Sequence, residues 1–207
     1  MKKALVVGNG ESRKRIGLNL FKRNEWEIYG CNALYREFNP DHLVIIDKEM
    51  RTEFEYNSHQ AGRAVDEPEG NTFYGMPKHV YFVEDMPEYE PMMNSGHMAI
   101  CIAMRDHKEI DIIGFDLETT DGLTNNVYKD SPQYKPSNKE AGGFIIDAYN
   151  LKMISNRFRE KGGIITRVAD SIPFELDKYM KHVKIEEYIS EVFTNNFHTH
   201  IRERNAT

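Results

Sequence analysis

Three short polar clusters carry residue types suited to holding an anion or a sugar hydroxyl without a metal. The first, Gly8-Asn9-Gly10-Glu11-Ser12, combines two glycines, a carboxamide and a hydroxyl. Glycine allows a tight turn and a close backbone approach to a ligand. Ser12 predicts a helix cap, and helix N-terminal amides favour phosphate or carboxylate. The third glycine of G-x-G-x-x-G is missing, and so is the G-x-x-x-x-G-K-[ST] loop. A tight turn followed by a capped helix explains the same residues. The second cluster is Asn32 after Gly30-Cys31, a carboxamide that can donate and accept at once, or cap the next helix. The third is Asn94-Ser95-Gly96-His97, where Ser95 reads as an N-cap and Gly96 permits close approach.

Carboxylates supply the second kind of chemistry. Asp47 and Asp116 each follow an apolar run, where an acid can orient a ribose, hold a metal or accept a proton. Asp116, Glu118 and Asp121 form an acidic group that could take Mg²⁺, although no D-x-D motif is present. Asp116, Glu118 and His97 are the candidates for proton transfer. Tyr128 and Tyr134, with Lys129 and Lys135, could close over a phosphate from a long polar segment. The eight histidines show no metal-ligand spacing, and G-x-S-x-G, H-E-x-x-H and kinase signatures are absent.

These residues need a frame, and the chain reads as alternating strands and helices. Strands are expected at 4–7, 27–32, 42–47, 79–83, 109–116 and 164–169, as short apolar runs buried on both faces. Helices are expected at 13–22, 33–38, 48–57, 97–106, 144–160 and 174–192, that at 97–106 being apolar nearly all round and hence buried. Residues 58–75 read as loop and 86–93 as a surface connection. Residues 117–140 read as a long loop of the functional or lid-like kind, and 198–207 as a frayed tail. The result is a single α/β domain over 1–197, an open, mostly parallel sheet with helices on both faces. In such sheets ligands bind beyond the carboxyl ends of the strands, where the polar clusters lie.

Composition narrows the partners. With 27 Lys+Arg against 33 Asp+Glu the net charge is −6 over 207 residues, against a protein that grips a nucleic-acid backbone. No run approaches the roughly 20 apolar residues that span a bilayer. The first eight residues are too short and apolar-poor for a signal peptide and predict a strand. Two cysteines without a C-x-x-C pair suit a reducing, cytoplasmic setting.

The order of these pieces resembles the bacterial sialyltransferases of glycosyltransferase family 42. The resemblance runs through Gly8-Asn9-Gly10-Glu11-Ser12 and Cys31-Asn32-Ala33-Leu34-Tyr35 to Ser95-Gly96 with its apolar helix. It continues through Lys108-Glu109-Ile110 to Gly114-Phe115-Asp116, covering residues 4 to about 170. The loop-plus-Cys-Asn pattern also looks like a wider Rossmann-like group that includes 6-hydroxymethylpterin diphosphokinases and motility-associated glycosyltransferases. The resemblance implies a Rossmann-like fold binding a CMP-sugar without a metal. Asn9, Gly10 and Ser12 would hold the phosphate and ribose side, and Asn32 the nucleotide or donor sugar. Ser95 and Gly96 would meet the nucleotide or the sugar carboxylate, and Tyr128 and Tyr134 the donor phosphate. The family's general base is a histidine between the lid and the next helix, but residues 136–147 contain none.

The leading expectation is a sialyltransferase-like glycosyltransferase using a nucleotide sugar as co-substrate and an acceptor of unassigned identity. The alternatives are Mg²⁺-dependent pyrophosphoryl transfer to a pterin-like alcohol, supported by Asp47, Asp116, Glu118 and Asp121, and a non-catalytic nucleotide-binding protein. A homo-oligomer is left open.

Overall fold

A computed structural model of the chain describes residues 2–63, 76–87, 90 and 92–205. Seven strands form one sheet: β1 Lys3–Val7, β2 Trp26–Cys31, β3 His42–Val44, β4 His79–Tyr81, β5 Glu109–Ile113, β6 Ile164–Val168 and β7 Lys181–Val183. Every pairing is parallel, in the order β4-β3-β2-β1-β5-β6-β7. This is a Rossmann-like open sheet. The chain builds outward from β1 in one direction, then returns to β1's other edge with β5. The crevice between β1 and β5 is therefore the topological switch point, where open α/β sheets bind ligands.

Both faces of the sheet are covered, so its strands are apolar without alternating. Ala4 and Val6 of β1 pack with helices α2 (Ser95–Asp106) and α3 (Phe144–Glu160). Leu5 and Val7 face the other way, toward α4 (Ile185–Asn205) and Ile16, Phe21 and Trp26. The apolar spacing Phe144, Ala148, Leu151, Ile154 and Phe158 predicts one inward face of α3, and Ala148, Leu151, Ile154 and Phe158 are buried in the core while Phe144 at the helix start is half-buried. Among the described residues no helix is long and apolar enough to cross a membrane.

Several expected elements differ. The helix expected over 13–22 is instead two 3₁₀ turns, Glu11–Arg15 and Leu18–Leu20, separated by extended backbone at Ile16 and Gly17. Burying Ile16 in the core holds that break open. The helix expected over 33–38 is a 3₁₀ turn, Asn32–Arg36, entered through a left-handed Asn32 at φ 47°. Helix α1 (Lys48–Arg63) overruns its expected end, so the expected loop begins helical, and 64–75 lie outside the described residues. The 86–93 connection is anchored by buried Met86 and Met93, with 88, 89 and 91 outside the described residues. The long helix expected over 174–192 breaks into a turn at Pro173–Lys178, strand β7 and the start of α4. Left-handed Phe174 and Glu175 (φ 57° and 54°) reverse the chain there. α4 itself continues to Asn205.

The central contact joins the loops after β1 and β5. Gly8 donates its amide to Ile113 O (2.8 Å), and Gly10 donates to Gly114 O (2.8 Å). A Cβ on Gly8 would lie 2.5 Å from Gly114 O, and one on Gly10 would lie 2.6 Å from the Asp116 carboxylate. Both glycines are thus required by the neighbouring loop. Gly10→Ala is expected to cost about 1–3 kcal/mol in urea unfolding, as an overpacked site does. Gly142→Ala, whose added carbon meets nothing within 4 Å, is expected to stay within about 0.5 kcal/mol of wild type.

Candidate functional site at the β1–β5 switch point

A cleft of about 250 Å³ opens at the carboxyl ends of β1, β2 and β5. Larger grooves lie elsewhere on the surface. This one stands out by its place in the topology and its convergent polar groups. Asn9, Asn32, Asn94, Asn125 and Asn126 contribute carboxamides, and Asp116 and Asp147 contribute carboxylates. No lysine or arginine is among its described lining residues. Among the sequence candidates, Gly8, Asn9, Gly10, Asn32, Gly96, His97, Asp116 and Tyr134 line it. Ser12, Ser95, Glu118 and Tyr128 do not.

The glycine loop already has an internal anion. Asp116 Oδ2 accepts the Ser12 amide at 2.9 Å, and its other oxygen accepts the Ser12 hydroxyl. Ser12 therefore does not cap its own turn; that turn starts from Gly10 with no side-chain cap. The Glu11 amide donates to Asn125 Oδ1 at 2.8 Å. The donors expected to face a phosphate are thus engaged by Asp116 and by the 117–140 segment. The Asn9 carboxamide donates to Tyr134 Oη at 3.3 Å, while its own oxygen is buried without a partner.

Asn32 neither caps a helix nor stands free. Its Nδ2 donates to Asp47 (2.9 Å), and its oxygen accepts from the Ser95 hydroxyl (2.7 Å). The Ser95 hydroxyl in turn accepts the Ile46 amide at 3.3 Å. This chain pins the ends of β2 and β3 to the start of α2. Neighbouring Cys31 is buried, which pushes its thiol up to about 12 and leaves it protonated at neutral pH.

Asn94, rather than Ser95, caps α2. Its oxygen accepts the His97 amide (3.0 Å), and His97 Nδ1 accepts the Asn94 amide (3.3 Å), a reciprocal capping box with histidine in the usual acidic place. Nδ1 acts as acceptor, so the ring's proton is on Nε2. His97 is only 1% exposed, and burial pulls its pKa down to about 4. The amides of Ser95 and Gly96 open the helix above it.

Asp147, in the first turn of α3, completes the group. Its Oδ1 accepts from Asn94 Nδ2 at 3.0 Å and lies 4.0 Å from His97 Nε2. Burial pushes its carboxyl up to about 6, against the lowering effect of the Asn94 bond. In sequence, an acid just after Gly142-Gly143 reads as a partner for the helix dipole. Only the fold brings it to the cleft.

The other candidates are placed elsewhere. Glu118 is exposed, and its backbone oxygen receives Asn125 Nδ2. Asp121 closes its own turn, accepting from Thr119 Oγ1 and the Leu123 amide. Asp47 is exposed beside Asn32. Among the described residues no three His, Cys, Asp or Glu side chains gather as a metal-binding group. Tyr128 donates to Glu37 and accepts from Arg13, behind the cleft. Buried Arg167 of β6, unremarked in the sequence, donates to Phe115 O (3.1 Å) and Ser171 O (2.7 Å), fixing the loop that carries Asp116.

The 117–140 segment is docked rather than free. The Val127 amide donates to Asn9 O (2.8 Å), and Arg36 donates to Ser131 Oγ (3.0 Å). Tyr134 Oη also accepts the Ala33 amide at 3.3 Å. The Leu123–Glu140 bridge joins the segment's ends.

Asp147 and His97 have opposite effects on stability over nearly the same pH range. The raised Asp147 pKa means that the native state holds an extra proton between about pH 4 and 6, so stability falls as pH rises there. The depressed His97 pKa means that the native state holds fewer protons from about pH 4 to 6.5, so stability rises. Asp147→Asn is expected to remove only the first effect. Its stability relative to wild type, measured by urea unfolding at half-unit pH steps, should climb by roughly 1–3 kcal/mol between pH 4 and 6.5 and then level off. A flat difference would place the Asp147 pKa near 4. No protein-family model, curated protein or solved structure matches this chain.

Proposed function

We propose that the chain is a sialyltransferase-like glycosyltransferase that takes a CMP- or related nucleotide sugar at the β1–β5 crevice. The observation that carries this reading is Asp147: a cleft carboxyl with a pKa of about 6, held by Asn94 and backed by a neutral histidine. A general base works best with its pKa near the working pH. Asp147 takes the acceptor hydroxyl's proton as the acceptor oxygen bonds to the anomeric carbon. The nucleotide phosphate leaves with the electrons of the broken C–O bond. The Gly96 amide and the positive end of α2 stabilise that departing charge. Carboxamides line the rest of the cleft, suited to base and sugar hydroxyls. A cleft of about 250 Å³ is below the usual 300–1,000 Å³ range for ligand sites. The donor therefore enters as Tyr134 gives up its bonds to Asn9 and Ala33.

Calorimetry against CMP- and UDP-sugars tests binding, and release of free nucleotide tests turnover. Asp147→Asn is expected to bind donor within about threefold of wild type and to turn over roughly 10²–10⁴-fold more slowly. If no cytidine or uridine compound binds, the reading fails. If donor is consumed at an unchanged rate by Asp147→Asn, the assignment of the base fails.

A further inference from the structure

A second groove, of about 700 Å³, lies behind the wall formed by Arg13 and Val127. It has the size of a small-molecule site. Its electrostatics are opposite to those of the crevice. Arg13, Lys14 and Arg23 line it with one carboxylate, Glu37, in a chain whose net charge is −6; Arg13 pairs with that Glu37, Lys14 with Glu11 and Arg23 with the buried Asp41. The basic run after the glycine turn therefore serves this groove and not the cleft: Arg13 and Lys14 are in its wall, while Arg15 pairs with Asp170.

Arg13 is the unusual group. It is 4% exposed, and its guanidinium is only partly satisfied. Nη2 serves both Glu37 and Tyr128 Oη, but Nη1 is buried with no hydrogen-bond partner. Buried polar groups are seldom left unpaired, and a charged one is costly to leave so. Beside Asn19 and Asn39, the remaining walls are apolar: Ile16, Leu18, Val127 and the Phe38 ring, against which Arg23 stacks at 4.9 Å.

We infer that this groove is a second ligand site, taking a small organic anion with an apolar body. The anion, a carboxylate or a phosphate monoester, takes the place of Glu37 on Arg13 and of Glu11 on the Lys14 ammonium. The apolar body lies on Phe38, Ile16 and Val127. The inference does not depend on what occupies the crevice. The two sites are linked through Tyr128, whose hydroxyl accepts from Arg13 of the groove and whose ring packs 5.3 Å from that of Tyr134 of the crevice.

Calorimetric titration of the full chain with benzoate, acetate, phenyl phosphate and inorganic phosphate, at fixed ionic strength, tests this. The aryl anions are expected to bind saturably and at least tenfold tighter than acetate or inorganic phosphate. Whether benzoate or phenyl phosphate binds more tightly identifies the anionic group. Arg13→Gln and Lys14→Gln are expected to lose at least tenfold. Val127→Trp fills the groove without removing a buried charge, and is expected to abolish binding while retaining the wild-type circular dichroism. Asp147→Asn is expected to bind as wild type does. No saturable binding, or binding untouched by Val127→Trp, would overturn the inference, whether or not Arg13→Gln folds.

Discussion

The site depends on a backbone contact with no room for a side chain. The loops leaving β1 and β5 lie against each other through Gly8, Gly10 and Gly114, joined by amide-to-carbonyl bonds. Gly114 takes a left-handed φ of 68°, and a Cβ there would lie 2.8 Å from Gly8 O. That contact brings Asp116 to the Ser12 amide and hydroxyl, so the first turn is neutralised from within. Arg167 holds the far side of the same loop through the Phe115 carbonyl. Burial pulls the Arg167 guanidinium below its ordinary range, while Asp116 and Glu118 oppose that pull. The crevice is thus a consequence of how closely two strand ends can approach.

Charge is divided between the two sides of this contact. Among the described lining residues, the crevice holds carboxamides and carboxylates but no lysine or arginine. Of the basic residues in the β1–β2 connection, Arg13, Lys14 and Arg23 line the opposite groove and Arg15 pairs with Asp170. Tyr128 marks the boundary: its hydroxyl is held between Arg13 and Glu37, and burial raises its pKa. On the proposed reading, anion stabilisation in the crevice falls to oriented amides. Such dipoles act strongly only where water is excluded, and the docked 117–140 segment helps exclude it.

The sheet was legible because parallel strands buried on both faces read as apolar runs, and six of the seven did so. β7 was not, since Lys181-His182-Val183 is a three-residue edge strand with little apolar character. Helix α3 was legible from its period. The 13–22 segment was misread because its composition suits a helix while the core demands Ile16 at a break. The strand ends located the crevice, but not the partners within it. Ser12, Asn32 and Ser95 each read as a cap; each instead bonds to a residue at least 15 positions away. Asp147 was invisible for a related reason. Its significance comes from Asn94 and His97, which are 53 and 50 positions away in sequence and meet it only through α2 packing on α3.

The use of histidine in the α2 capping box has one more consequence. An acid in that place offers oxygens that can be protonated and still accept. His97 has only one lone pair facing Asn94, and the helix start uses it. A proton arriving there displaces the Asn94 amide and leaves the bond from the His97 amide to Asn94 Oδ1 to hold the start of α2 beside the crevice. Nothing in the β1–β5 contact depends on that lone pair. The start of α2 thus carries a proton-sensitive bond, whereas the β1–β5 contact is made of backbone amides and carbonyls that do not titrate.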